Sequence, residues 1–384
     1  MSTPKFDFFK IFCHNADALY RQIRPSPVIL ELDGFTLMQT TEKKRITLQD
    51  IAARTGVSVN TVSHALRNKS DISAETCRRI QETAREMGYT GNQIARSLRS
   101  GRTHIIAVIL GGLSNPFYGI LSDAIQDAAQ FKGYSVMVMC SRDDPELELQ
   151  MAEEAISRCA DGVLLFPSTG CEKTIRRFRE AGMPFVLVAR LPREGIADAV
   201  VWDETEGAYL ATRHLIESGW RKLVYVSDNT IVYSSEHRME GFRKACDEAG
   251  IPENDRCFLH SAGTNGSSER TDQWMESLQA SLVDLRQKGF NGLFVFCDVE
   301  AWHILQALDL SDQVSRSDFG IVSIDNLESA LAFPVPLCSV GYSFKDIASH
   351  SIRLLRNRIH GDTSTPQKVV LPVQLVCRGS CGNH

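Results

Sequence analysis

The stretch ITLQDIAARTGVSVNTVSHALRNKSDIS, residues 46–73, decides how the amino-terminal part of this chain folds. Leu48, Ile51 and Ala52 recur at i, i+3 and i+4, with Thr47 placed to cap the helix start and Gly56 to end it. Ser58 is a second N-cap, opening a helix whose Val62, Ala65 and Leu66 face inward. Val59, Asn60, Thr61, Ser63, His64 and Arg67 are left wholly or partly outward. Two short helices joined by a glycine-containing turn predict a helix-turn-helix, a motif whose second helix enters the major groove of DNA. A third helix from Ser73 to about Met87 is expected to close the small core with Thr76, Ile80, Thr83, Ala84 and Met87. Its outward Arg78, Arg79 and Arg85 either meet backbone phosphate or only solvate the surface.

Charge supports this reading. The 384-residue chain has a formal net charge of −5, yet residues 43–102 hold 12 Lys/Arg against 5 Asp/Glu, leaving −12 for the remainder. A small basic module on a larger acidic body is the electrostatic footprint of a nucleic-acid-binding head. On the N-terminal side, residues 1–44 form an extension of unassigned role. Met38 offers an alternative translation start, and a genuine appended element is the other reading. On the C-terminal side, GNQIARSLRSGRT (91–103) carries an apolar stripe of Ile94, Ala95 and Leu98 on a helix too short to be stable alone. It reads as a linker that orders on a partner.

The remainder, 104–384, alternates strands and helices. Continuous apolar runs at 105–110, 135–140, 162–166, 185–189, 222–227, 292–297 and 319–324 suit parallel strands covered on both faces. Amphipathic helices are expected at 118–132, 145–159, 171–181, 206–218, 235–249 and 299–308. These strands exceed what one small sheet usually carries, so two similar doubly wound α/β lobes are predicted.

Several chemistries find no support. ILGGLSNPF after the first strand lacks the G-x-G-x-x-G spacing, and no phosphate-binding loop or catalytic motif emerges, so neither a cofactor nor enzymatic activity is expected. Eleven scattered cysteines read as thiols, and Cys377 and Cys381 have no second pair or histidine close in sequence, so no metal is expected either. The absence of a long apolar run or a leader pattern predicts a cytoplasmic chain with no membrane partner.

A helix-turn-helix followed by a hinge and a two-lobed α/β body resembles the LacI/GalR family of bacterial transcription regulators, whose bodies are related to periplasmic sugar-binding proteins. The likeness runs from about Ile46 to Ser380. QIARSLRSGRTHIIAVIL, LSNPFYGIL, HLIESGWRKLVYVS, SSEHRMEGFRKAC, GIVSIDN, PLCSV and LPVQLVCRGS carry it in the expected order. The resemblance implies a head at 45–90, a hinge at 91–103 and an effector-binding and dimerisation body from 104. One lobe would comprise about 104–202 and 341–365, the other about 203–337 and 366–380, with crossings near 201–206, 336–342 and 360–370. It implies a homodimer on a palindromic double-stranded operator, acting as a repressor, with a carbohydrate-like effector between the lobes. The chain's end, with no leucine heptad, points away from the tail-mediated tetramer of the family.

Residue by residue, the resemblance implies that Val59, Asn60 and His64 read bases, that Ser58, Thr61 and Ser63 cap the helix or meet phosphate, and that Leu98, supported by Ala95, wedges into the minor groove. Effector contacts would fall on Asn115, Phe117, Tyr118, Arg190, Arg238, Asp298, Asp325 and Phe344. An aromatic face with Arg and Asp partners suits a polyhydroxylated ligand, while an ion pair between lobes without ligand duty is the other reading of Arg238 and Asp325. Departures from the family pattern are Cys297 before Asp298, Ala189 before Arg190, and Gly91 ahead of the hinge. A sensor protein whose head has lost DNA binding is the alternative reading of the whole.

Overall fold

The computed structural model describes residues 46–89, 101–192, 197–228, 233–261, 272–327 and 336–382. The chain divides into two units, one ending at Gly91 and one beginning at Asn92.

In the first unit, α1 (Leu48–Thr55), α2 (Val59–Ala65) and α3 (Ala74–Glu86) form a three-helix head. Each start is fixed by a side chain. Thr47 and Asp50 make a reciprocal capping box at α1, Ser58 accepts from the Thr61 amide at 3.1 Å, and Ser73 accepts from the Thr76 amide at 3.3 Å. Gly56 ends α1 at φ 69°, a conformation that frees the chain to turn sharply into α2. Ile51, Ala52, Val62, Ala65, Ile80 and Ala84 are buried together. The larger members of that core contribute roughly 1.5–3 kcal/mol each.

Two details depart from the sequence reading. Thr76 and Thr83 stay partly exposed, and Cys77 packs against the core instead, its thiol reaching the Ala65 carbonyl. Arg79 donates to the Thr55 carbonyl at 3.3 Å, which gives it a capping duty at the end of α1.

The second unit holds two six-stranded sheets. The first has the order β11-β5-β4-β3-β1-β2 and the second β12-β10-β9-β8-β6-β7. Every pairing is parallel except β10 with β12. The first sheet is built from β1 (Ile105–Leu110), β2 (Ser135–Cys140), β3 (Gly162–Leu165), β4 (Phe185–Val188), β5 (Ala199–Trp202) and β11 (Lys368–Leu371). The second is built from β6 (Leu223–Asp228), β7 (Arg256–Ser261), β8 (Gly292–Val295), β9 (Gly320–Ile324), β10 (Cys338–Gly341) and β12 (Gln374–Val376).

Helices cover the sheet faces: α4 (Pro116–Phe131), α5 (Pro145–Ser157), α6 (Glu172–Glu180) and α11 (Phe344–Ile359) on the first; α7 (Glu204–Glu217), α8 (Tyr233–Glu248), α9 (Asp272–Gln287) and α10 (Asp298–Asp309) on the second. The doubly wound two-lobed architecture is therefore present. Strands β5, β7, β10, β11 and β12 and helices α9 and α11 were not among the apolar runs and amphipathic stretches picked out by pattern. Strands of three or four residues, or an edge strand such as RCFLHS, carry too little periodic signal.

The chain passes between the sheets after Trp202, after Gly341 and after Leu371. The third passage differs from the 360–370 expected, because Lys368–Leu371 pairs in register with Ala199–Trp202 in the first sheet. The crossing is confined to Pro372 and Val373. Proline has no amide to extend β11, so it splits one apolar run, VVLPVQLV, into strands of two sheets.

Close helix packing needs one small residue. A Cβ on Gly241 of α8 would lie 2.1 Å from the Thr205 carbonyl oxygen of α7, so glycine is what lets these two helices meet. No helix among the described residues is long and apolar enough to cross a membrane.

Candidate functional site

Two sets of side chains have the composition of a site, one in the head and one between the sheets of the body.

On α2, capping uses part of the polar surface. Ser58 holds the helix start and lies 2.9 Å from the Thr61 hydroxyl, while Ser63 accepts from Arg67 at 2.9 Å. His64 Nδ1 sits 2.6 Å from an Asp71 carboxylate oxygen, and this hydrogen bond holds the Asp71 carboxyl below the usual carboxylate range. Val59 and Asn60 are the first-turn side chains left projecting, and Val59 is 41% exposed. An apolar methyl surface beside an amide is the pairing that can meet a thymine methyl and an adenine edge. Ala95 and Leu98 lie outside the described residues.

In the body, the first-sheet wall is aromatic. Asn115 caps α4 by accepting from the Phe117 amide at 3.0 Å, which fixes the helix that carries Phe117 and Tyr118. Phe117 lies edge-on to Tyr118 (5.1 Å) and Trp202 (6.0 Å) and 5.8 Å from Phe344. Arg190 donates to Asp143 at 2.7 Å and to the Tyr118 hydroxyl at 3.1 Å. Its backbone is strained: the Arg190 amide reaches the Val188 carbonyl at 2.8 Å around Ala189 at φ 70°, a γ-turn of the rare hand.

The second-sheet wall is charged. Arg238 of α8 donates from Nε to Glu204 at 2.6 Å, reaches the Phe296 carbonyl, and lies over the Phe296 ring at 4.3 Å. Burial works against its charge, but Glu204 and Asp325 outweigh burial and hold the guanidinium above its ordinary pKa. Asp325 follows β9 at φ 119° and accepts from the Tyr342 hydroxyl at 2.6 Å. Burial, aided by Asp298 and opposed by Arg238, pushes its carboxyl up to about 7. Tyr342 also stacks on Trp202, ring centroids 3.9 Å apart.

These contacts form a continuous route from Asp143, Arg190, Tyr118 and Phe117 through Trp202 and Tyr342 to Asp325, beside Arg238 and Glu204. Of the eight body residues singled out from sequence, Asn115, Phe117, Tyr118, Arg190, Phe344, Asp325 and Arg238 lie on or beside this route. Asp298 is committed elsewhere: it accepts from Ser323 (2.5 Å), Ser339 (2.6 Å) and the Leu327 amide (2.6 Å), so it braces the loop after β9. Glu204, Trp202, Tyr342, Phe296 and Asp143 were missed. Glu204 looks like an ordinary helix-start acid and Trp202 ends a strand too short to recognise. Only an outward aromatic beside a crossing could have drawn attention to Tyr342.

Comparisons with known proteins agree with this architecture. Residues 47–92 match the family model described as bacterial regulatory proteins, lacI family, and residues 103–277 the periplasmic binding proteins and sugar binding domain of LacI family. Residues 212–381 match a periplasmic binding protein-like domain. The HTH-type transcriptional regulator DegA of Bacillus subtilis (strain 168) is 28% identical over 342 residues, covering 88% of this chain and 98% of the relative. The HTH-type transcriptional repressor PurR of Actinobacillus pleuropneumoniae serotype 3 (strain JL03) is 26% identical over 339 residues, with the same coverage. Among solved structures, the lac repressor dimer bound to operator and the anti-inducer ONPF has a TM-score of 0.73 at 20% identity, covering 89% of this chain and all of that one. The transcriptional regulator CelR–cellobiose complex has a TM-score of 0.61 at 24% identity, covering 88% of this chain and all of that one. With a helix-turn-helix head joined to two doubly wound lobes, and family matches in tandem from 47 to 381, the chain belongs to the LacI family of bacterial transcriptional regulators.

Proposed function

We propose that this regulator is a repressor that binds an inverted-repeat operator as a homodimer and is controlled by a small polyhydroxylated effector seated between its lobes. Val59 and Asn60 read base edges, His64 reaches a base or phosphate once released from Asp71, and Ser58, Thr61 and Ser63 contact the backbone around the helix start. Leu98, backed by Ala95, wedges into the minor groove at the operator centre and kinks it.

For the effector, Phe117, Tyr118 and Phe344 supply C–H stacking surface, while Arg190, Arg238 and Asp325 supply fixed donors and acceptors for hydroxyls. Asn115 and Asp298 hold those groups in place from α4 and from the loop after β9. The observation that carries the reading is the aromatic route linking Arg190 in one lobe to Asp325 in the other. A ligand that re-aims these groups changes the angle between lobes, and with it the hinge segments that must pair on DNA. Structures of the same fold bound to cellobiose and to ribose support a sugar, and the repressor names of several relatives support the direction. Linkage requires that operator binding alter effector affinity by the same factor.

Selection of bound sequences from a randomised duplex pool by the purified full chain tests the reading. An enriched palindrome, weakened by Leu98→Ala, is expected. Tight sugar binding with no enriched sequence would instead support a sensor whose head is idle.

A further inference from the structure

The fold assembles a donor set that sequence spacing gave no reason to expect. His214 from α7, Cys338 from β10, and Cys377 and Cys381 from the segment after β12 bring one donor atom each within 4.8 Å of one another. Cys338 and Cys377 sulfurs are 3.6 Å apart, and those of Cys377 and Cys381 are 3.7 Å apart. A zinc–sulfur bond of about 2.3 Å places two tetrahedral sulfurs roughly 3.8 Å apart, so these separations match the edge of a metal tetrahedron and exceed a disulfide bond.

The surroundings suit thiolates. The Arg378 amide donates to Cys338 Sγ at 3.2 Å, a bond that strengthens when the sulfur is charged. The loop is held open around the donors: Ser380 accepts from the Cys338 amide at 2.7 Å, and Trp220 donates to the Cys381 carbonyl at 2.6 Å. Arg378 itself donates to the Leu337 carbonyl and to Asn326, keeping a positive charge in the same loop. Three thiolates and a neutral imidazole around a divalent cation leave one net negative charge, which that guanidinium offsets. Cys338 and Cys381 are buried while Cys377 is exposed, which gives the site three inner walls and an entry side.

We propose that His214, Cys338, Cys377 and Cys381 bind a structural zinc ion that pins the C-terminal segment to the second lobe. Tetrahedral sulfur and nitrogen ligation selects zinc among common divalent cations. Three thiol protons leave to solvent as the metal enters, with no change of oxidation state. The pin also reaches the cleft: Arg378 grips Asn326, the residue next to Asp325, so loading the metal stiffens the loop that presents that carboxylate. The cluster is not legible from sequence spacing because the neighbours of Cys377 and Cys381 come from α7 and β10, far away in sequence.

The test uses the full chain, reduced and stripped by chelator, then titrated with Co²⁺. Expected are one equivalent per chain, a near-ultraviolet thiolate band with the intense visible bands of four-coordinate cobalt, and displacement of cobalt by Zn²⁺. Cys377→Ser, chosen because its exposed side chain contributes least to packing, lowers cobalt affinity by at least about tenfold. Cys159→Ser, an exposed cysteine of the other lobe, leaves it unchanged. No stoichiometric uptake, weak octahedral bands, or equal binding by Cys377→Ser would overturn the proposal. So would a disulfide among these cysteines that, once reduced, yields protein that takes up no cobalt.

Discussion

Arg238 and Glu204 form an ion pair at 2.6 Å with side chains only 3% and 1% exposed, joining α8 to the start of α7. Taking both charges out of water is costly, and each is tolerated because the other is present. Glu204→Gln is expected to destabilise the body by about 3 kcal/mol, the lower end for a broken buried pair, because Asp325 remains as a second carboxylate for Arg238. Urea unfolding of the two proteins measures the difference. The same variant should lower the pH at which Asp325 ionises, since Arg238 then has one fewer competing partner.

Asp325 gives the fold a pH dependence of definite sign. Its carboxyl is raised from 3.8 to about 7 by burial, so between roughly pH 4 and 7 the unfolded chain has released a proton that the folded chain retains. Stability from this group is therefore greatest below pH 4, falls as pH rises through that window, and is level above it. Asp325→Asn removes the dependence. Across the window wild type should lose up to about 4 kcal/mol relative to the variant, at about 1.4 kcal/mol per unit. Glu148, also raised by burial, contributes alike to both proteins, whereas Asp298 interacts with Asp325 and its smaller part shifts with the substitution. Denaturation midpoints of the pair from pH 4 to 8 provide the check.

Gly241 tests the packing of α7 on α8. A methyl there meets the Thr205 carbonyl oxygen at 2.1 Å and Ala208 Cβ at 2.8 Å, so Gly241→Ala forces backbone to move. A loss of about 1–3 kcal/mol is expected, despite alanine's better helix propensity. Calorimetry showing equal or greater stability would mean that the helices sit further apart than described.

In the head, Asp71 holds His64 by a 2.6 Å contact and places a negative charge at the end of α2. Asp71→Asn should raise affinity for duplex DNA a few-fold, because it removes repulsion from phosphate and loosens the hold on His64. Titrations against an unrelated duplex at several salt concentrations report this.

The sequence discloses the head well because its caps and apolar positions lie within one short stretch. Thr47, Gly56, Ser58 and Ser73 all do what local chemistry asks of them. Arg238 and Asp325 were legible through motifs around them, SSEHRMEGF and GIVSIDN. Their partners were not, because Glu204, Trp202 and Tyr342 flank the points where the chain passes between sheets, and local pattern does not say what such residues will face. The passage at Pro372 was misplaced for a related reason: one apolar run supplies strands to both lobes, and hydrophobicity does not say which sheet a strand joins. His214 and Cys338 met Cys377 and Cys381 by the same long-range route.

The proposed base readout by α2 rests on Val59 and Asn60. The most direct measurement is the affinity of wild type and Asn60→Ala for the duplex selected from a random pool and for a scrambled duplex, each over a series of salt concentrations. Wild type should prefer the selected duplex by at least about a thousandfold at physiological salt. Asn60→Ala should lose about 1–3 kcal/mol of that preference while keeping the scrambled-duplex affinity and its salt slope. Equal affinity of wild type for both duplexes, or a variant that weakens both alike, would rule out base reading by Asn60.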